Sequence, residues 1–147
     1  MSKFRVFLFA LYLFSAVAYG YLIRNGLSYY RTPVNERPRH QAYKTFKPGG
    51  SYGHGYGVIG SAMMLLMLLY SARKRIDFFK RFGPITHWLD IHIYLGIWGP
   101  LLIILHSSFK VHGLIAVSFY SMLAVALSGV LGRYLYLQIP RNIRARK

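Results

Sequence analysis

Apolar residues gather along the chain in four long runs, at about residues 4–22, 54–72, 86–109 and 113–137, with polar stretches between them. Each run is near the ~20 residues that a helix needs to cross the hydrocarbon core of a bilayer. A backbone in lipid has no water to bond with, and at such lengths only a helix satisfies its own N–H and C=O groups. The pattern therefore predicts an all-α integral membrane protein, a four-helix transmembrane bundle forming a single membrane domain over residues 1–147. The second run reaches spanning length only if Gly53 to Gly57 joins the helix. The first run has a rival reading. Lys3 and Arg5 precede it, and Ala16-Val17-Ala18 resembles a signal-peptidase site, so residues 1–18 would be removed from a processed chain. A retained helix is the expectation taken forward.

The polar stretches are unequal. Residues 24–53 hold Pro33, Pro38, Pro48, Gly49 and Gly50 and show no period of two or 3.6, which predicts a loop. Residues 71–85 form a short basic loop broken by Gly83-Pro84. Thr86 is a plausible cap for the third helix, and Asp90 falls in its first turns, where a negative charge meets the positive end of the helix dipole.

Composition narrows the chemistry. The chain is 54% hydrophobic and 17% aromatic, which fits lipid and not an ordinary soluble domain. It has no cysteine, so disulfides, thiolate metal sites and covalently attached c-type haem are excluded. Its only acids are Glu36, Asp77 and Asp90, too few for a hard-cation site or a two-carboxylate hydrolase. The formal charge of +16 would raise nucleic acid in a soluble protein. Here the basic residues, such as Arg73-Lys74-Arg75 and the tail from Arg141 to Lys147, flank apolar runs. They are read as contacts to membrane lipid headgroups, with no nucleic acid partner.

With four spans, both termini and the loop 71–85 share one side. That side collects Lys3, Arg5, Arg73, Lys74, Arg75, Lys80, Arg81, Arg133, Arg141, Arg144, Arg146 and Lys147, 12 residues against 7 on the other. The excess predicts cytoplasmic termini in an inner (cytoplasmic) membrane.

The candidate chemistry lies in the histidines: His40, His54, His87, His92, His106 and His112. An ionisable residue inside a span is a functional candidate by default. His92 and His106 both belong to the third span. Fourteen residues at 100° each bring them to within roughly 40° of one face, about 21 Å apart along the axis. Paired-haem membrane cytochromes use one helix in this way, with a ligand for each of two stacked haems. Gly96 and Gly99 lie on the same face and leave room for a flat macrocycle. Close helix packing is the other use of such glycines.

A haem needs a second axial ligand. The second span opens with Gly53-His54-Gly55, and in an antiparallel pair His54 lies level with His106. Gly57 and Ser61 again leave space. The expectation is a bis-histidine haem b with iron ligands His54 and His106. His112 competes with His54 as partner, or stands beside Lys110 where both could neutralise propionates. His92 has no histidine partner in the chain, because Leu68 occupies the level where one would be needed. Met67 is at the right depth to complete a His/Met pair there, since Met is an accepted haem ligand; otherwise His92 meets a ligand from another subunit or hydrogen-bonds inside the bundle. His40 is read as a solvated loop residue.

Three pieces carry a resemblance to known proteins: Gly53-His54-Gly55, His92-Ile93-Tyr94-Leu95-Gly96 running on to His106, and Ser128-Gly129-Val130-Leu131-Gly132-Arg133-Tyr134. Over about residues 53–141 the chain resembles the small transmembrane b-type cytochromes, including ferric-reductase-like proteins and the cytochrome b membrane subunits of redox complexes. The resemblance implies haem b and electron transfer across or along the membrane, between quinol and a partner redox subunit such as a cytochrome c or an iron–sulfur protein. The chain departs from the two-haem pattern in lacking a fourth histidine.

The expected function is thus a haem b-binding electron-transfer subunit, with one haem and room for a second. No G-x-G-x-x-G follows a strand, so no nicotinamide or flavin motif is present. A quinone site would use Trp88, His87 and Arg133. The alternative is a haem-free anchor or assembly subunit whose histidines serve packing.

Overall fold

The computed structural model describes residues 3–110 and 112–144 of the 147. Among them the chain is helical with no strand. Four helical stretches are long and apolar enough to cross a membrane: Lys3–Arg31, Tyr43–Arg75, Ile85–His106 and Ala116–Leu135. The chain is an all-α, multi-pass membrane protein, as its hydropathy pattern predicts. Arg146 and Lys147 of the basic tail lie outside the described residues.

The first helix, α1 (Lys3–Arg31), overruns its expected end by about a third of its length and takes in the start of the stretch read as loop. No breaker stands before Pro33, and Gly26 leaves space for the Tyr30 ring to fold back on the helix. Thr32 then donates its hydroxyl to the Ser28 carbonyl, 2.8 Å, at the end of the helix. Beyond it the expected loop is largely folded. It contains a 3₁₀ turn (Arg37–Arg39) begun around Pro38 and a short α2 (Tyr43–Phe46). The second span is built from α3 (Ser51–Leu66) and α4 (Leu68–Arg75), interrupted at Met67. Then follow α5 (Asp77–Lys80), α6 (Ile85–His106) and α7 (Leu114–Arg144). Apolar side chains of α1 and α7 such as Phe14 and Val125 are exposed, the surface expected of helices bathed in lipid.

The chain divides into two compact units, Met1–Ala62 with Leu101–Lys110, and Met63–Pro100 with Val111–Lys147. The first is centred on Tyr29, Phe46, Tyr56 and Leu105, all buried. Tyr29 stacks on Phe46 at 6.0 Å, and Phe46 on Tyr52 at 5.7 Å. Buried Arg37 ties this unit together. Its guanidinium donates to the carbonyls of Thr32 (2.9 Å), Tyr30 (2.9 Å) and Ser108 (2.6 Å) and lies 5.3 Å from the Tyr29 ring centre. A buried charge must be matched. Here three carbonyl dipoles and a ring face do the matching.

Ser108 is the residue on which α6 ends. Its φ of 53° and that of Phe109, 58°, lie in the left-handed region that non-glycine residues rarely adopt. The Phe109 N–H reaches the Ile104 carbonyl (3.3 Å) and the Ser108 N–H that of Leu105 (3.0 Å), the two bonds of a Schellman stop. The Ser108 hydroxyl also donates to the Phe46 carbonyl at 2.9 Å.

In the second unit, buried Arg73 donates to the carbonyls of Lys80 (2.7 Å) and Gly83 (3.1 Å) and so closes the turn around α5. The indole N–H of Trp88 donates to the Phe82 carbonyl at 2.6 Å. Asp90 pairs with Arg133 at 3.6 Å, joining α6 to α7. The ion pair gives Asp90 a partner in addition to the helix dipole.

Candidate cofactor site

His92 projects from α6 towards the interruption between α3 and α4. Its Nδ1 lies 3.2 Å from the Met67 carbonyl oxygen. A carbonyl only accepts, so Nδ1 carries the proton of this contact and Nε2 is the ring nitrogen left for another partner. This is how metal-ligating histidines are held, with one ring nitrogen tied to a carbonyl and the other free for the metal. The helix break supplies the carbonyl. It also accepts from the Tyr70 N–H, 3.2 Å away in a three-residue step. The Tyr70 ring packs beside His92 at 5.0 Å, and the Lys74 ammonium lies 4.5 Å from the Tyr70 ring centre.

His92 lines a cavity of about 680 Å³ formed by α4, α6 and α7. The volume is in the range of cofactor and small-molecule sites, about 300–1,000 Å³. Most of the lining is apolar, including Leu89, Ile93, Ile97 and Val125. Gly96, Gly129 and Gly132 open its walls. A Cβ on Gly129 or Gly132 would meet nothing within 4 Å, and one on Gly96 would meet only the flexible end of Met67. Pro100 has no N–H to give the Gly96 carbonyl four residues back, a local fault in the same helix. Two cations, Lys74 and Arg133, reach the lining.

The other predicted ligands are arranged differently. His106, half-buried, turns its Nδ1 to the Gly53 carbonyl at 2.8 Å. Its ring presses on Gly57, where a Cβ would come within 2.5 Å of Nδ1. Gly53, Gly57 and Gly60 form the buried stripe of α3. His54 sits about 100° around the helix from Gly53 and is exposed. The structure thus brings His106 onto the α3 backbone and leaves His54 on another face. His112 is exposed, and Gly99 is buried within α6. His40 is half-buried, where it accepts from the Ala42 N–H at 3.1 Å and packs edge-on against Tyr29 at 5.8 Å. That is a turn-forming role, unlike the solvated one expected. His87 is half-buried at the start of α6. Of the residues expected around a quinone, Trp88 spends its N–H on Phe82, and Arg133 faces Asp90.

Among the described residues no three His, Cys, Asp or Glu side chains come together as a metal cluster. An iron held in a cofactor needs no such cluster, since the macrocycle supplies the equatorial ligands and the protein only the axial ones. The His92 cavity fits that requirement: one imidazole, mostly apolar walls with glycines among them, and cations for carboxylates. Sequence reasoning did not find the Met67 carbonyl or the α7 wall. The run Ser128-Gly129-Val130-Leu131-Gly132 was its only trace.

Comparison of the chain with protein-family models, with curated proteins and with solved structures finds no match.

Proposed function

We propose that this chain is a haem b-binding electron-transfer subunit of a membrane redox complex, and that its haem is held in the His92 cavity. The observation that carries the proposal is the His92 imidazole, fixed through Nδ1 to the Met67 carbonyl beside an apolar cavity of about 680 Å³. In this role His92 would hold the iron through Nε2. Gly96, Gly129 and Gly132 leave space for the ring plane. Lys74 and Arg133 would meet the haem's carboxylates, with Arg133 held beside Asp90. When bound, the haem supplies a one-electron iron couple. The apolar lining keeps water away from it, and burial is one of the levers that set such a couple's potential. Nothing in the described residues amounts to a separate catalytic domain, so electrons would pass to and from quinol and a partner redox subunit.

The test is the spectrum of the purified full chain in detergent, expressed with haem supply. Dithionite-reduced minus oxidised difference spectra should show b-type bands, lost in His92→Ala and kept in His54→Ala. A colourless protein, or His92→Ala with full pigment, would sink the proposal. The packing of His106 on Gly53 and Gly57 favours a second reading, a haem-free anchor subunit with histidines used for helix contact. The colourless outcome would select it.

A further inference from the structure

The lining of the His92 cavity contains one imidazole. Its share from α7 is Val125, Ala126, Ser128, Gly129, Val130 and Gly132, none bearing a nitrogen or sulfur ligand, and Arg133, which faces Asp90. At Met67 and along α4 three groups could ligate iron, Met67, Tyr70 and Lys74; the first two are engaged against α6, and the Lys74 Nζ lies over the Tyr70 ring. The Met67 carbonyl holds His92, and its thioether lies over Gly96, 3.7 Å from where a Cβ would stand. The Tyr70 ring packs directly beside the imidazole at 5.0 Å. A ligand trans to His92 would meet it only through the iron, and Tyr70 instead touches the ring itself.

From this we infer that a haem in this cavity has His92 as its only protein ligand, and that its sixth position is open to small exogenous ligands of the carbon monoxide and nitric oxide class. The inference rests on the haem proposal above. It departs from the bis-histidine centre that the sequence led us to expect, and it adds ligand binding to electron transfer. The chemistry is consistent: small uncharged diatomics partition into apolar cavities, and the polarity and steric access of the pocket opposite the axial histidine decide whether they bind. Ser128 is the one hydroxyl that α7 brings to the lining, although its own proton goes to the Val125 carbonyl at 2.8 Å.

The experiment separates the two levels. A pyridine haemochrome assay on the purified chain counts haem. Carbon monoxide is then added to the reduced protein, and the ferric form is examined by electron paramagnetic resonance. The expected results are haem present, a Soret shift on carbon monoxide addition and a high-spin ferric signal. Met67→Leu should keep the shift. Gly129→His, which adds an imidazole to the α7 wall where a Cβ meets nothing within 4 Å, should abolish the shift and turn the ferric signal low-spin. Haem present with no shift and a low-spin signal would overturn the inference and leave the haem proposal standing. If Met67→Leu then restored the shift, the sixth ligand would be Met67. Absence of haem would remove both.

Discussion

His106 donates its Nδ1–H to the carbonyl of Gly53 across 2.8 Å, and the contact exists because Gly57, one turn further along α3, has no side chain. Gly57→Ala would place a methyl within 2.5 Å of that ring nitrogen. The ring is backed by backbone, so the helices must part or the imidazole must turn. We expect a loss of about 1–3 kcal/mol, the usual cost of overpacking. Thermal unfolding in detergent checks it, with Gly55→Ala as control. A Cβ at position 55 meets nothing within 4 Å, and alanine is the better helix former. Equal midpoints for the two variants would contradict the packing described.

Filling the His92 cavity should separate folding from cofactor binding. Gly129→Leu and Gly132→Leu add bulk where no atom lies within 4 Å of the new Cβ. Both should fold, with melting temperatures equal to or above that of the parent, because leucine favours helix. Both should lose bound haem, because leucine, unlike the imidazole of Gly129→His, offers no bond to iron in return for the space it takes. Full haem content in either variant would place the cofactor elsewhere.

Arg37 holds three carbonyls with one planar fork. A lysine ammonium cannot reproduce that geometry. Arg37→Lys should therefore fail to rescue Arg37→Ala, and each should cost about 2–3 kcal/mol or more, the scale of a charge-assisted hydrogen bond lost from a buried site. Protease nicking of residues 32–50 in detergent is a direct readout: both variants should be cut faster than the parent.

At Asp77 the hydrogen bond from Lys80, and then the charge of Lys80, hold the carboxyl below its usual range. Since the folded value is the lower one, the contribution is present above the ordinary carboxylate pKa of about 3.9 and disappears as the pH falls through the folded value. The pair is solvent-exposed, so the global midpoint should barely move. Amide exchange at α5 should rise on acidification, and Asp77→Asn should abolish that rise. Pronounced global unfolding over the same range would show that another group controls it.

The four spans were legible because lipid imposes a length and an apolarity that any residue order must respect. The end of α1 was not, because chain between Arg24 and Arg31 is polar enough to read as loop while containing nothing that stops a helix. The surroundings of His92 were half legible. His92 and Gly96 stood out by type and spacing. The break at Met67 did not, since neither Pro nor Gly marks it and only the approach of His92 gives it purpose. His54 is exposed on a face of α3 neighbouring the packed one. Gly53, Gly57 and Gly60 repeat at three- and four-residue steps and mark the packed face, from which His54 stands about 100° away.

The bond from Arg37 to Ser108 spans 71 residues. During synthesis the guanidinium leaves the ribosome long before its last acceptor does, so the segment around it stays unlatched until α6 has been threaded and turned. Insertion of the third span is thereby the event that locks a loop made well ahead of it. A chain stalled before Ser108 would remain cleavable in that loop, and one extended past it would resist.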